Sequence, residues 1–237
     1  MLRAGSYRYL LMVLSIFLVP LPAFAAKGGA VHPVAKLVAA VESAQLHDIT
    51  VFAVSEPLAR EHAAGSAAIV RIDDGRDGGL PTCFLLELAG KPAGPVKIDA
   101  KFRLSVCPAG PAKGVQLARQ AISNHQEAWL VRLEHQRYDS KGHGSESSIL
   151  WGLYGKPLGE SEPRAVWERT STTFTSRDDP GNNVAEVCTA PEISAGGQEP
   201  TSIVIACDTL VMLGKLPKRA KQTFTAVWSG DRYVAKD

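Results

Sequence analysis

Four cysteines constrain this chain more than any other feature, because they fall in two close pairs, Cys83 with Cys107 and Cys188 with Cys207. Four cysteines admit three pairings. The local pairing is favoured, since each pair lies between two strand-like runs that a hairpin would set side by side. Closing loops of this size restricts the unfolded chain by about 3 kcal/mol apiece on a chain-entropy account. Metal ligation is the competing use of cysteine, yet there is no Cys-x-x-Cys and no histidine at ligand spacing from any of the four.

Both pairs are introduced in the same way. Asp73-Asp74 precedes Cys83 and Asp178-Asp179 precedes Cys188, with eight residues between the second aspartate and the cysteine each time. A tryptophan follows at similar range, Trp129 in one half and Trp228 in the other. The echo suggests two related β units, each closed by its own disulfide. The residues between the shared positions do not match, GRDGGLPT standing against PGNNVAEV, so coincidence is the simpler account of the spacing. The local disulfides stand without it.

Residues 1–25 read as a cleaved signal peptide: Arg3 and Arg8 give a positive start, Leu10 to Val19 an apolar middle, and Ala23-Phe24-Ala25 a small-residue cleavage site. Pro20 and Pro22 break the apolar run well short of the roughly 20 residues a membrane-spanning helix needs. The expected location is therefore the periplasm or the extracellular space, with no stable membrane insertion after cleavage. Removing this segment takes two of the 26 basic residues and none of the 24 acidic ones, which leaves a formal net charge of zero. A neutral mature chain has no overall field to draw it onto nucleic acid or an anionic membrane. The one basic cluster, Lys215, Lys218, Arg219 and Lys221 around Pro217, reads as a solvated loop in preference to a polyanion site.

Beyond residue 25 the chain is small and glycine-bearing, and then Pro33 opens a helical pattern. Val34, Leu37, Val38, Val41 and Ala44 recur at helical spacing, giving a narrow apolar face to lay on a sheet. After Asp48 the pattern turns to β. Runs at 49–54, 67–72, 83–88 and 96–106 are separated by Gly, Pro and Asp turns, and Lys97, Asp99, Lys101 and Arg103 alternate with apolar neighbours in the last of them. The segment 113–123 fits a helix through Val115, Ala118 and Ile122, and a strand through Val115, Leu117 and Ala121, so it stays open. Strands resume at 129–138, 149–154, 165–176, 184–188, 202–207, 210–213 and 223–228, with a closing strand, turn and strand at 228–234. The polar stretch 139–148 is the best candidate for a boundary or exposed loop.

The expected fold is thus mainly β, an antiparallel sandwich or curled meander of short strands with one N-terminal helix packed on it. The expected organisation is a mobile start and helix over 26–48, a first β unit over 49–140 and a second over 141–237, with 49–237 able to form one continuous domain.

Sequence motifs for chemistry are sparse. There is no Gly-x-Ser-x-Gly, Ser-x-x-Lys or His-Glu-x-x-His, and the six histidines include no His-x-His and no i, i+4 pair. His143, Ser145 and Glu146 stand close together, but in a polar loop that does not fix their positions. The acidic turns read first as turn-formers. Asp73 and Asp77 in one, and Asp178 and Asp179 in the other, also offer the oxygen ligands that calcium takes, although Gly75 and Arg76 count against a site in the first. No other cofactor is implied. The functional reading is an exported binding or interaction module with an unknown protein or small-molecule partner. The alternatives are a secreted hydrolase with residues dispersed over loops, or an envelope assembly factor.

Overall fold

A computed structural model describes residues 33–42, 45–55, 65–73, 80–89, 96–108, 113–138, 143–156, 164–176, 178, 183–195, 197, 200–213 and 216–236. The chain divides into two units, residues 1–30 and 31–237, and every described residue belongs to the second. The signal-peptide reading and Asp77 and Asp179 lie outside the described residues.

One helix, α1 (Pro33–Glu42), and a short 3-10 turn (Leu46–Asp48) precede thirteen strands. The first four are β1 (Ile49–Val54), β2 (Ser66–Ile72), β3 (Thr82–Ala89) and β4 (Lys97–Arg103), which form a sheet in that order. The rest are β5 (Lys113–Ala121), β6 (Glu127–Tyr138), β7 (Gly144–Gly155), β8 (Arg164–Ser176), β9 (Val184–Cys188), β10 (Glu192–Ser194), β11 (Ser202–Leu213), β12 (Leu216–Trp228) and β13 (Tyr233–Ala235). These build a nine-stranded sheet in which neighbours in sequence are neighbours in space, except that β9 and β10 both pair with β11. Every pairing is antiparallel. The mainly β, antiparallel expectation is met, and the architecture joins both of its alternatives, two facing sheets each built as a meander.

Side-chain alternation explains the layering. On β3, Leu86 and Leu88 face α1 and join Val34, Ala35, Val38, Ile49, Ala68 and Val70 in one core. Cys83 and Leu85 point the other way, into a second core with Phe102, Trp129, Val131, Leu133, Leu150 and Tyr154. Burial of α1 ends early: Val41, expected on its apolar face, is 58% exposed, and the neighbouring Glu42 accepts from Lys101 Nζ at 2.7 Å. Strands β6 and β7 are covered on both faces, because Leu130, Trp151 and Leu153 alternate with the residues of that second core and enter further clusters. Those clusters contain Ile203, Ile205, Ala226 and Tyr233. Strands several places apart in the ladder therefore meet face to face, which requires the large sheet to curl back on itself.

A bulge interrupts the β7–β8 pairing within this sheet. Leu153 lies opposite Trp167 and Tyr154 opposite Ala165, so Val166 is the extra residue on β8. The shift turns Ala165 toward the core between the sheets and sends Val166 to the curled side. Arg164 follows that turn, and its Nη2 lies 2.7 Å from Asp231 Oδ2 in the turn between β12 and β13. Desolvation works against the charged Asp231, but the Ser229 hydroxyl, Arg164 and Arg232 together hold its carboxyl below the ordinary value of 3.8.

Both local disulfides form. Cys83 at the start of β3 joins Cys107, beyond β4, across a Cα separation of 5.1 Å. Cys188 and Cys207 sit directly opposite on β9 and β11, 4.0 Å apart at Cα. The two settings differ, one tying a strand to the chain that leaves the small sheet and the other bridging two strands of the large one. The change of sheet falls between β4 and β5, at 104–112, whereas residue 141 lies in the connection between β6 and β7, which stay hydrogen-bonded along their length. Segment 113–123 resolves as strand over Lys113–Ala121, because β6 offers it a partner and Val115 and Leu117 pack on the inter-sheet core. The basic cluster is also strand rather than loop, since Lys218, Arg219 and Lys221 lie within β12.

Candidate functional site

The core between the sheets ends in a layer of charge. Cys83 and Leu85 are buried in that core, and Glu87 is the next β3 residue on the same face, at the end of the strand. Val115 and Leu117 of β5 pack on the same core, and Arg119 follows them two residues on. Directly across from Arg119 is Trp129, and directly across from Trp129 is Tyr154. Alternation thus brings Glu87, Arg119, Glu127, Trp129 and Tyr154 from four strands and two sheets to one end of the interface.

Arg119 organises the group. Its Nη1 donates to Glu127 Oε2 at 2.8 Å and its Nη2 to Glu87 Oε1 at 3.3 Å. The guanidinium lies 4.8 Å from the centre of the Trp129 ring, a cation–π contact. Gly65, at φ +76° just before β2, lets the guanidinium come this close, because a Cβ there would stand 2.7 Å from Nη2. Around these residues lies a cleft of about 680 Å³ also lined by Ser123, Asn124, His125, Gln126 and Lys156. The tight turn at 122–126 forms one wall. Ile122 and Ser123 donate their backbone N–H groups to Gln126 O at 3.0 and 3.2 Å, and Gln126 Nε2 donates to Lys156 O at 3.4 Å.

The charged lining is balanced, with Glu87 and Glu127 set against Arg119 and Lys156. Ser123, His125 and Glu127 lie close together here, but what links the first two is the His125 backbone N–H, which donates to Ser123 Oγ at 3.3 Å. Glu127 is engaged by Arg119. Tyr154 donates a hydrogen bond to Glu168, and its ring meets Phe102 edge-on with centroids 5.9 Å apart. Burial, reinforced by the charge and hydrogen bond of Glu168, pushes the Tyr154 phenol far above its ordinary range. It remains a neutral donor at any physiological pH.

A smaller hollow of about 310 Å³ lies on the curled side, lined by Trp167, Arg169, Phe224 and Tyr233 among others. Arg169 donates to Glu186 Oε1 at 2.9 Å and stacks on Phe224, 3.5 Å from the ring centre. Burial pushes the Tyr233 phenol up to about 12.

Of the acidic-turn candidates, Asp73 and Asp178 lie among the described residues, and each has a side-chain partner. Asp73 Oδ2 accepts from Arg71 Nε at 3.1 Å, and Asp178 Oδ2 pairs with His143 Nδ1 at 2.8 Å. Asn183 Oδ1 accepts from Ser176 N at 2.6 Å, and Glu186 is held by Arg169. Among the described residues the only group spaced to hold a metal is Glu186, Cys188 and Cys207, whose sulfurs are joined to each other. The cleft was not foreseen in the sequence. Its central cation, Arg119, lies in the segment whose structure the sequence leaves open.

These features define a class, a two-sheet antiparallel β protein with two disulfides and a charge-balanced cleft where its sheets meet. Compared with family models, curated proteins and solved structures, the chain matches none.

Proposed function

We propose that the protein is an exported binding module of the periplasm or cell envelope, and that its ligand occupies the cleft at the junction of the two sheets. The observation that carries this reading is the convergence there of Glu87, Arg119, Glu127 and Trp129 from separate strands, with both sheets contributing. Balanced charge with Asn124, Gln126, Ser123 and His125 along the wall suits a small polar ligand, uncharged or zwitterionic, that exchanges many hydrogen bonds. The N-terminal sequence and the two disulfides support export.

Sequencing the N-terminus of the exported protein checks the destination, and should start at Ala26. The ligand is sought by thermal-shift screening against oligosaccharides, amino acids and short peptides. Arg119→Gln should weaken a bound compound by about 1.5–3 kcal/mol, the value of a hydrogen bond to a charged group. The same change should cost the unliganded fold less than about 1 kcal/mol, because the Arg119 ion pairs are solvent-exposed. If the compounds that raise the melting midpoint bind the Arg119→Gln protein equally well, the cleft is not their site.

A further inference from the structure

The walls of the hollow on the curled side follow from strand alternation. Trp167 packs on that side, and Arg169, two residues along β8 and directly opposite Trp151, shares the face. On β12, Phe224 stands opposite Ile205 and Ala226 opposite Ile203, two β11 residues buried on the same side. Tyr233 comes from β13, where it pairs with Trp228 and meets that ring edge-on with centroids 5.0 Å apart. Trp167, Arg169, Ile203, Ile205, Phe224 and Tyr233 all line the hollow. Its volume of about 310 Å³ lies at the small end of the roughly 300–1,000 Å³ that ligand sites occupy.

Two polar groups of this lining are buried without a hydrogen-bond partner among the described residues. Tyr233 is only 5% exposed, and its hydroxyl is one of them. Arg169 donates through Nη2 to Glu186 and lays its guanidinium on Phe224, yet its buried Nε–H is the other. Buried polar groups are ordinarily paired, because an unmet one forfeits the hydrogen bonds it made to water. Both groups offer a proton: the guanidinium is always charged, and the Tyr233 phenol, pushed up to about 12 by burial, stays protonated. What they lack is an acceptor, and the wall around them is aromatic and aliphatic. Charge does not select an anion, since Glu186 neutralises Arg169, and the remaining charged residues of the lining, Glu168 and Lys236, are of opposite sign.

We propose that this hollow is a second binding site, for a small neutral molecule whose apolar or aromatic body carries a carbonyl oxygen, as in a ketone, ester or amide. The two lone pairs of the carbonyl accept from the Tyr233 hydroxyl and the Arg169 Nε–H, and the body lies among Trp167, Ile203 and Ile205. A water molecule answers the two donors but gains nothing from the apolar wall, which is why an organic occupant is favoured. The site differs in character from the polar cleft at the sheet junction and does not depend on that cleft having a ligand.

The probe is acetophenone, titrated against the full exported protein and followed by ligand-observed NMR. Binding should be accompanied by nuclear Overhauser contacts between the probe and the Trp167 and Phe224 rings. Tyr233→Phe should weaken acetophenone by about three- to tenfold, the worth of one hydrogen bond, and leave ethylbenzene, the same carbon skeleton without the oxygen, unaffected. The same change should leave the melting midpoint of the unliganded protein unchanged or raised, because the hydroxyl it removes has no partner to lose. No acetophenone binding up to its solubility, or equal losses for both probes, overturns the proposal. A Tyr233→Phe protein that melts well below the parent does so too, by giving the hydroxyl a structural task. Benzoate bound more tightly than acetophenone assigns the hollow to anions and overturns the neutral carbonyl.

Discussion

Replacing Cys83 and Cys107 together by alanine should lower the free energy of unfolding by about 4 kcal/mol, against about 3 kcal/mol for the same change at Cys188 and Cys207. The closed loops are alike, with sequence separations of 24 and 19, so the entropic contributions nearly cancel in the comparison. What separates the two is the core that each buried cysteine enters, the one joining the sheets for Cys83 and the smaller cluster with Trp151 and Ile205 for Cys207. Cys83 is fully buried beside Leu85 and Phe102 in the core that joins the sheets, and its truncation leaves a void among groups that cannot close around it. Cys107 and Cys188 are both half-buried, Cys107 packing on the junction core and Cys188 on the smaller cluster that buries Cys207. Urea unfolding of the two double variants, followed by tryptophan fluorescence and circular dichroism, measures the order. A larger loss for the Cys188 and Cys207 variant would mean that the β9–β11 pairing, not the sheet junction, limits stability.

Gly152→Ala should destabilise the protein by about 2–4 kcal/mol, from overpacking together with a disturbed charged hydrogen bond. The direction is informative, because glycine to alanine at an unstrained position ordinarily stabilises by about 0.4–1 kcal/mol through the unfolded chain. Here a new Cβ would stand 2.5 Å from Cε2 and 2.8 Å from Cζ of Tyr154, whose ring folds back along β7 over Gly152. The ring cannot yield easily. It is fully buried, touches Phe102, and places its hydroxyl on Glu168, which lies across the ladder from Gly152 itself. A double-mutant cycle with Tyr154→Val isolates the effect: in that smaller background the alanine should cost almost nothing, giving a coupling close to the whole single-mutant loss. Equal losses in both backgrounds would remove the ring from the explanation.

Gly152 also illustrates where reading the chain alone stops. A glycine inside a strand can be seen in the sequence, but the reason for it lies in a ring two residues on and a carboxylate on the next strand. Features with a local cause were legible: α1 from its apolar spacing after Pro33, β4 from the alternation of Lys97, Asp99, Lys101 and Arg103, and the disulfides from the nearness of each cysteine to its partner. Segment 113–123 carried both periodicities at once and was decided by β6, a tertiary partner. Arg119 went unselected with it, although Glu87 and Glu127, which define its role, stand 32 and 8 residues away. The partners of the acidic-turn side chains were not legible either. Side chains that suit a cation on paper, such as Asp73 and Asp178, are already engaged by Arg71 and His143. The echo between the halves followed spacing, whereas the topology divides the chain into sheets of four and nine strands.

Because β6 and β7 are shared by cores on both sides, a chain growing from its N-terminus completes the inner junction long before residues 203–233 exist to cover Trp151 and Leu153. A nascent or truncated molecule ending after β8 would therefore hold a nearly finished sandwich with one greasy flank open to solvent. Pairing of the last hairpin, β11 with β12, is what closes that flank. Damage near the C-terminus should accordingly surface as aggregation of an otherwise well-folded body.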